Sequence, residues 1–166
     1  CGNGQFLMRA KSIGFKVKGI DFDPVAVKQA VKNDLNAECI ELLDIKEDSI
    51  YDAITISHVI EHISNPGDYI EKIYNLLKPN GFLYIATPNI ESSGFKVFKN
   101  FWRGIDYPRH ICFFSHKTLK SELEKRGFVK LEIVYDLPQS INITRSSFKL
   151  LKKFGTKNYF FYLKLF

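Results

Sequence analysis

Residues 51–66 read YDAITISHVIEHISNP. An acid precedes an alternating apolar run at 53–57, which predicts a buried strand. The strand runs into a short polar helix or turn carrying His58, Glu61 and His62. In open α/β sheets, ligands bind outside the carboxyl ends of strands. A lone histidine usually caps or packs, but two of the chain's four histidines fall within these five residues. Titratable groups gathered at a strand end mark a functional site.

Working outward, the chain alternates strand and helix. Upstream, CGNGQFL at residues 1–7 is a glycine loop leading into a helix that Gly14 closes. Glycines at such a turn let a ligand approach the backbone, and the helix start favours an anionic group. The chain opens directly on this loop, so the sequence is read as a fragment whose first strand lies upstream. Residues 15–20 predict a strand that ends at Asp21. Asp23 and Pro24 then supply a helix cap and first-turn proline. Asp21 lies past the glycine loop at about the distance where a Rossmann-like site places its ribose-binding acid. A third strand is expected at 38–42, followed by Asp44 and Ile45, an acid and an apolar residue suited to an adenine edge and face.

Downstream, a helix over 69–77 is followed by LKPNGFLYIATPN, a turn, a strand and an exit turn. Residues 91–103 read as an irregular insertion. The segment WRGIDYPRHICFF then brings Arg109 and His110. Trp102, Tyr107 and Phe113 either wall a substrate pocket or pack in the core. Ser115 caps a further helix that Gly127 stops, and 128–135 alternates as a strand. Beyond Pro138 an amphipathic basic helix and a strand over 159–166 are expected. The lysines of that tail are read as a solvated face ahead of weak membrane-surface contact.

The chain has 166 residues and 45% hydrophobic content, ordinary for one globular domain. Its net charge of +6 belongs to the tail. From Ser140 onward there are basic residues and no acid, while the body is balanced. A balanced body argues against a nucleic-acid surface. No apolar run is long enough to span a membrane. Three widely spaced cysteines form no CxxC pair, which argues against a disulfide framework and fits a reducing cytoplasm.

CGNGQFL, GIDFDP, the acid of LLDI, YDAITISHVIEHISNP and LKPNGFLYIATPN occur in an order and spacing that resembles class I S-adenosylmethionine-dependent methyltransferases. More narrowly, the chain is similar to the bacterial group of ubiquinone-pathway and sugar- or polysaccharide-associated O-methyltransferases, over about residues 1–135. The resemblance implies a Rossmann-like α/β sheet, mostly parallel with helices on both faces, whose first strand is missing from this fragment. The domain would occupy 1–137, with the basic aromatic segment 138–166 continuing it. S-adenosylmethionine is the implied cofactor. Gly2 and Gly4 would lie against its methionine part, Asp21 on the ribose with Phe22 beside the adenine, Asp44 and Ile45 on the adenine, and Ser57 and His58 under the sulfonium.

An oxygen nucleophile needs a base near neutral pH, and histidine suits that task. His62 and His110 are the expected catalytic residues, acting on a small-molecule or sugar-like hydroxyl. No metal is assigned. Three other readings remain. Glu61, His62 and His110 are similar to the metal-binding set of some small-RNA 2′-O-methyltransferases. His58 to His62 spells HxxEH, the pattern of inverted zinc peptidases. A non-catalytic cofactor-binding module is the third.

Overall fold

The computed structural model describes residues 1–135 and 137–154. The chain divides into two compact units, residues 1–48 and 49–166.

In the first unit, Gly4 takes a left-handed conformation with φ of 83° and opens helix α1, Gln5–Ser12. A side chain there would run into Leu35 and stand 3.2 Å from the Ala30 Cβ, so the position needs glycine twice over. Strand β1, Gly19–Asp21, leads to helix α2, Pro24–Lys32. Asp23 accepts the Val25 N–H at 2.9 Å, and Pro24 occupies the first turn, where no N–H is missed. Strand β2, Ala37–Cys39, lies parallel to β1 with Gly19 opposite Ala37. Leu7, Ala30 and Leu35 form the buried cluster beneath them.

The second unit pairs strand β3, Tyr51–Ser57, with strand β4, Leu77–Ala86, again in parallel. Parallel neighbours need a crossover, supplied by helix α3, Pro66–Leu76. Ile54 stands opposite Leu83 and Ile56 opposite Ile85. Ile56, Leu83 and Ile85 face the buried cluster of Ile60, Ile70, Phe114 and Leu123. Helices α4, Ser93–Phe98, and α5, His116–Glu124, follow. Ser115 and Thr118 close a reciprocal capping box at the start of α5. Helix α6, Leu137–Phe154, is joined to α4 by an edge-on contact of Phe148 with Phe98, centroids 4.8 Å apart. No helix among the described residues is long and apolar enough to cross a membrane.

Alternating parallel strands and helices make this an α/β fold of the Rossmann-like kind. Several local expectations shift. The strands expected at 15–20 and 38–42 shrink to the three-residue ladders of β1 and β2, and Leu42–Asp44 turns as a 3-10 helix. The alternation at 128–135 forms no ladder among the described residues. Phe128 and Leu131 pack on the core while Val129, Val134 and Tyr135 stay exposed. The strand at 53–57 is half-covered rather than buried: Ile54 and Ile56 turn inward, and Ala53, Thr55 and Ser57 are exposed. A period of two places neighbours on opposite faces, and only one of these faces meets the core. The strand expected at 159–166 lies outside the described residues.

Candidate active site

In the first unit the glycine loop and the strand-end acid meet. The Gly2 N–H donates to Asp21 Oδ2 at 2.7 Å, and the Asp23 N–H donates to Oδ1 at 3.0 Å. Burial alone would raise this carboxyl. The hydrogen bonds from the Asp23 and Gly2 N–H groups pull it back down. Phe22 is exposed, as is Asp44, whereas Ile45 is buried within the unit.

In the second unit the chain at His58 adopts a φ of 55°, an uncommon conformation for a non-glycine residue. Residues 58–62 are not an α-helix; only Ile60–His62 forms a 3-10 turn. His58 and His62 therefore do not share an α-helical face, which the inverted-peptidase pattern requires. Instead the turn drives Glu61 into the core, where it is 1% exposed. Its side chain is fully partnered. His58 Nδ1 donates to Oε1 at 3.2 Å and the Thr87 hydroxyl donates to Oε2 at 3.0 Å. Burial pushes the Glu61 carboxyl up, but the His58 and Thr87 hydrogen bonds and the His58 charge bring the balance below the ordinary value. Its backbone carbonyl accepts the N–H groups of Ile111 and Cys112 at 2.9 and 3.0 Å, which brings the second histidine-bearing segment to the first.

That splice places His62 and His110 edge to face, with ring centroids 4.8 Å apart. His62 Nδ1 contacts the Arg109 carbonyl oxygen at 2.8 Å, and His110 Nδ1 contacts that of Gly104 at 2.8 Å. A carbonyl can only accept, so Nδ1 carries the proton in both rings. The lone pair of each is left on Nε2, and His110 Nε2 stands 3.9 Å from Glu61 Oε1. Ligand atoms of Glu61, His62 and His110 all lie within 4.8 Å of one another. Nδ1 fixed on a carbonyl with Nε2 directed elsewhere is the arrangement that orients metal-binding histidines. The same arrangement serves a general base.

A cleft of about 280 Å³ opens on these rings, lined by His58, His62, Pro88, Arg103, Gly104, Asp106, Arg109, His110 and Ile143. Trp102, Tyr107 and Phe113 do not line it. Trp102 is buried against Phe95, while Tyr107 and Phe113 are exposed.

Of the residues read from the sequence, the structure joins Gly2 to Asp21 in one unit and brings His58, His62 and His110 together in the other. Glu61, Thr87 and Asp106 were not assigned catalytic or cofactor roles. An acid set between two apolar residues and a histidine in HVIEHI was the available signal for Glu61. Thr87 carried none.

Residues 1–133 match the family described as Methyltransferase domain, and the chain belongs to that family. Its class is thus the class I S-adenosylmethionine-dependent methyltransferases. Among curated proteins it is 29% identical over 97 residues to the ubiquinone biosynthesis O-methyltransferase of Burkholderia cenocepacia, covering 54% of this chain and 42% of that protein. The corresponding protein of Burkholderia thailandensis is 30% identical over the same length. The chain thus spans less than half the length of these relatives. Among solved structures, phosphoethanolamine N-methyltransferase 2 of Haemonchus contortus in complex with S-adenosyl-L-methionine superposes with a TM-score of 0.69. Identity there is 18%, over 99% of this chain and 39% of that one. A SAM-dependent methyltransferase of Thermotoga maritima gives 0.65 at 20% identity, over 78% and 60% of the two chains. At such identities the structures establish the fold.

Proposed function

We propose that the protein transfers a methyl group from S-adenosylmethionine to a hydroxyl of a small or sugar-like molecule, with His62 as the base and His110 beside it. The carrying observation is the pair of imidazoles whose Nδ1–H groups are spent on backbone carbonyls, leaving Nε2 lone pairs beside a cleft. The curated relatives are named O-methyltransferases, which agrees with an oxygen acceptor.

The chain's residues fit the cofactor in two respects. Asp21 is ionised at neutral pH and rigidly held, as an acceptor of ribose hydroxyls must be. Gly2 is exposed with open space where a Cβ would stand, and Gly4 follows it into the start of α1. Gly2, Phe22, Asp44 and Ile45 complete the proposed cofactor set of the first unit, and Ser57 and His58 that of the second. When bound, the cofactor supplies an already activated methyl on a sulfonium. The remaining work is orientation, exclusion of water and removal of one proton. His62 Nε2 takes the hydroxyl proton as the new O–CH₃ bond forms. His110 stands edge to face on the His62 ring, with its Nε2 3.9 Å from Glu61 Oε1.

Geometry also favours a second reading, in which Glu61, His62 and His110 hold a divalent cation that lowers the pKa of the acceptor hydroxyl. The test is labelled methyl transfer to a panel of hydroxyl and amine acceptors, with His62→Ala and His110→Ala alongside and metal content measured on the same preparation. O-linked product with a loss of about 10²–10⁴-fold in either variant is expected. N- or C-linked product, or full rate in both variants at neutral pH, overturns the proposal. Stoichiometric metal selects the second reading.

A further inference from the structure

The cleft carries charge that a neutral sugar would not need. Arg103 Nη1 donates to Asp106 Oδ1 at 3.0 Å, and Arg109 Nη2 donates to Asp106 Oδ2. Asp106 is the one carboxylate among the lining residues, and both its oxygens are already taken. Each guanidinium has five N–H donors and spends one of them here. The Asp106 side chain is 17% exposed, while those of Arg103 and Arg109 are 45% and 65% exposed. Ion pairs this open contribute about 0–1 kcal/mol each, so stability alone does not account for two arginines on one acid. Asp106 acts as a clamp that fixes the direction of two planar forks.

The clamp is anchored from below. The Arg103 backbone N–H donates to the Ser147 hydroxyl at 2.8 Å, and that hydroxyl donates to the Ile143 carbonyl at 2.8 Å. Ser147 is wholly buried. Helix α6 thereby holds Arg103 in place and, through Ile143, supplies an apolar patch of the cleft wall. Beyond the two arginines and their shared Asp106 the polar side chains of the lining are imidazoles, so the cleft offers guanidinium donors, a net positive charge and no unpaired acid.

We infer that the acceptor carries an anionic group, a carboxylate or a phosphate ester, bound by the Arg103 and Arg109 forks while its hydroxyl faces His62 Nε2. Guanidinium forks match both groups with paired hydrogen bonds. The His62 ring rests on the Arg109 carbonyl itself, so base and anion site share one backbone segment. The hydroxyl and the anionic group must then lie a few bonds apart on one small molecule. A volume of about 280 Å³ falls just below the usual range of ligand pockets, about 300–1,000 Å³, which suits a hydroxy acid or a sugar phosphate and not an oligomer. This inference rests on the hydroxyl reading for what the anion accompanies, and on the cleft alone for the anion.

The test is titration of the whole protein with gluconate, glucose 6-phosphate and glucose, followed by calorimetry and by imidazole NMR of His62 and His110. Both anions, or one of them, are expected to bind and shift the imidazole signals, and glucose is not. The preferred anion distinguishes carboxylate from phosphate ester. Arg103→Gln and Arg109→Gln should each raise Kd tenfold or more, with Arg109→Lys intermediate and thermal midpoints unmoved. Glucose binding as tightly as the anions, no binding by either anion, or unchanged Kd in both glutamine variants overturns the inference. Failure of the two readings is separable. Anion binding with N-linked methyl product sinks the hydroxyl acceptor and keeps the anion site. O-methylation confined to neutral acceptors does the reverse.

Discussion

The two units present different chemistry at their candidate sites. The first, residues 1–48, presents backbone and one partly exposed acid: the Gly2 N–H, a left-handed Gly4, and Asp21 pinned by main-chain donors. The second presents side chains buried or braced from several directions: Glu61 between His58 and Thr87, His62 on the Arg109 carbonyl, His110 on that of Gly104. A backbone site can hold one common cofactor in any enzyme that keeps the glycines and the acid. On the proposed function the side-chain site handles the acceptor and the proton, and there His62 rests on a carbonyl 47 positions away. The contrast explains how one fold serves many acceptors.

The sharpest way to break this contrast is Gly4→Ala. The residue would keep a left-handed φ, at about 1–2 kcal/mol, and force its Cβ against Leu35, at about 1–3 kcal/mol more. Urea unfolding should show a loss of about 3 kcal/mol, and hydrogen exchange should place it in α1 and α2. Wild-type protection there would mean that the first unit's backbone is not the determinant described.

Glu61→Ala comes next. It leaves the Thr87 and His58 donors without their buried acceptor, a cost of about 2 kcal/mol. The pH dependence has a definite sign. The folded-state carboxyl titrates below its ordinary value, so the stability it adds is present above the unfolded carboxylate pKa, about 4.3, and is lost as pH falls through the folded value. The gap between wild type and variant should therefore hold from neutrality to about pH 4.3 and narrow below it. A constant gap down to acid unfolding would assign the loss to packing alone.

The smallest effect sharpens the contrast from the other side. Lys18, just before β1, pairs with Glu38 of β2 at 2.9 Å on the open surface. Lys18→Ala should cost less than about 0.5 kcal/mol, and that loss should fade in high salt. A larger, salt-independent loss would show that surface charge, and not the small core of Leu7, Ala30 and Leu35, holds the first unit.

The family resemblance implied the class of cofactor, and the sequence by itself determined the α/β alternation, the caps at Asp23 and Ser115 and the strand ending in Ser57. These depend on period, turn chemistry and short spacings, all of which are local. It also singled out His62 and His110, since histidines beside strand ends and in an arginine-rich turn are conspicuous by type. Only the tertiary structure decided what those rings can do. The 3-10 turn at Ile60–His62 sends Glu61 inward, and its carbonyl takes the N–H groups of Ile111 and Cys112. Carbonyls from Gly104 and Arg109 then set both tautomers. The same holds for the failed strand at 128–135, where alternation was present but no ladder partner stands beside it among the described residues. Periodicity records which face a residue offers; what meets that face is a property of the folded chain.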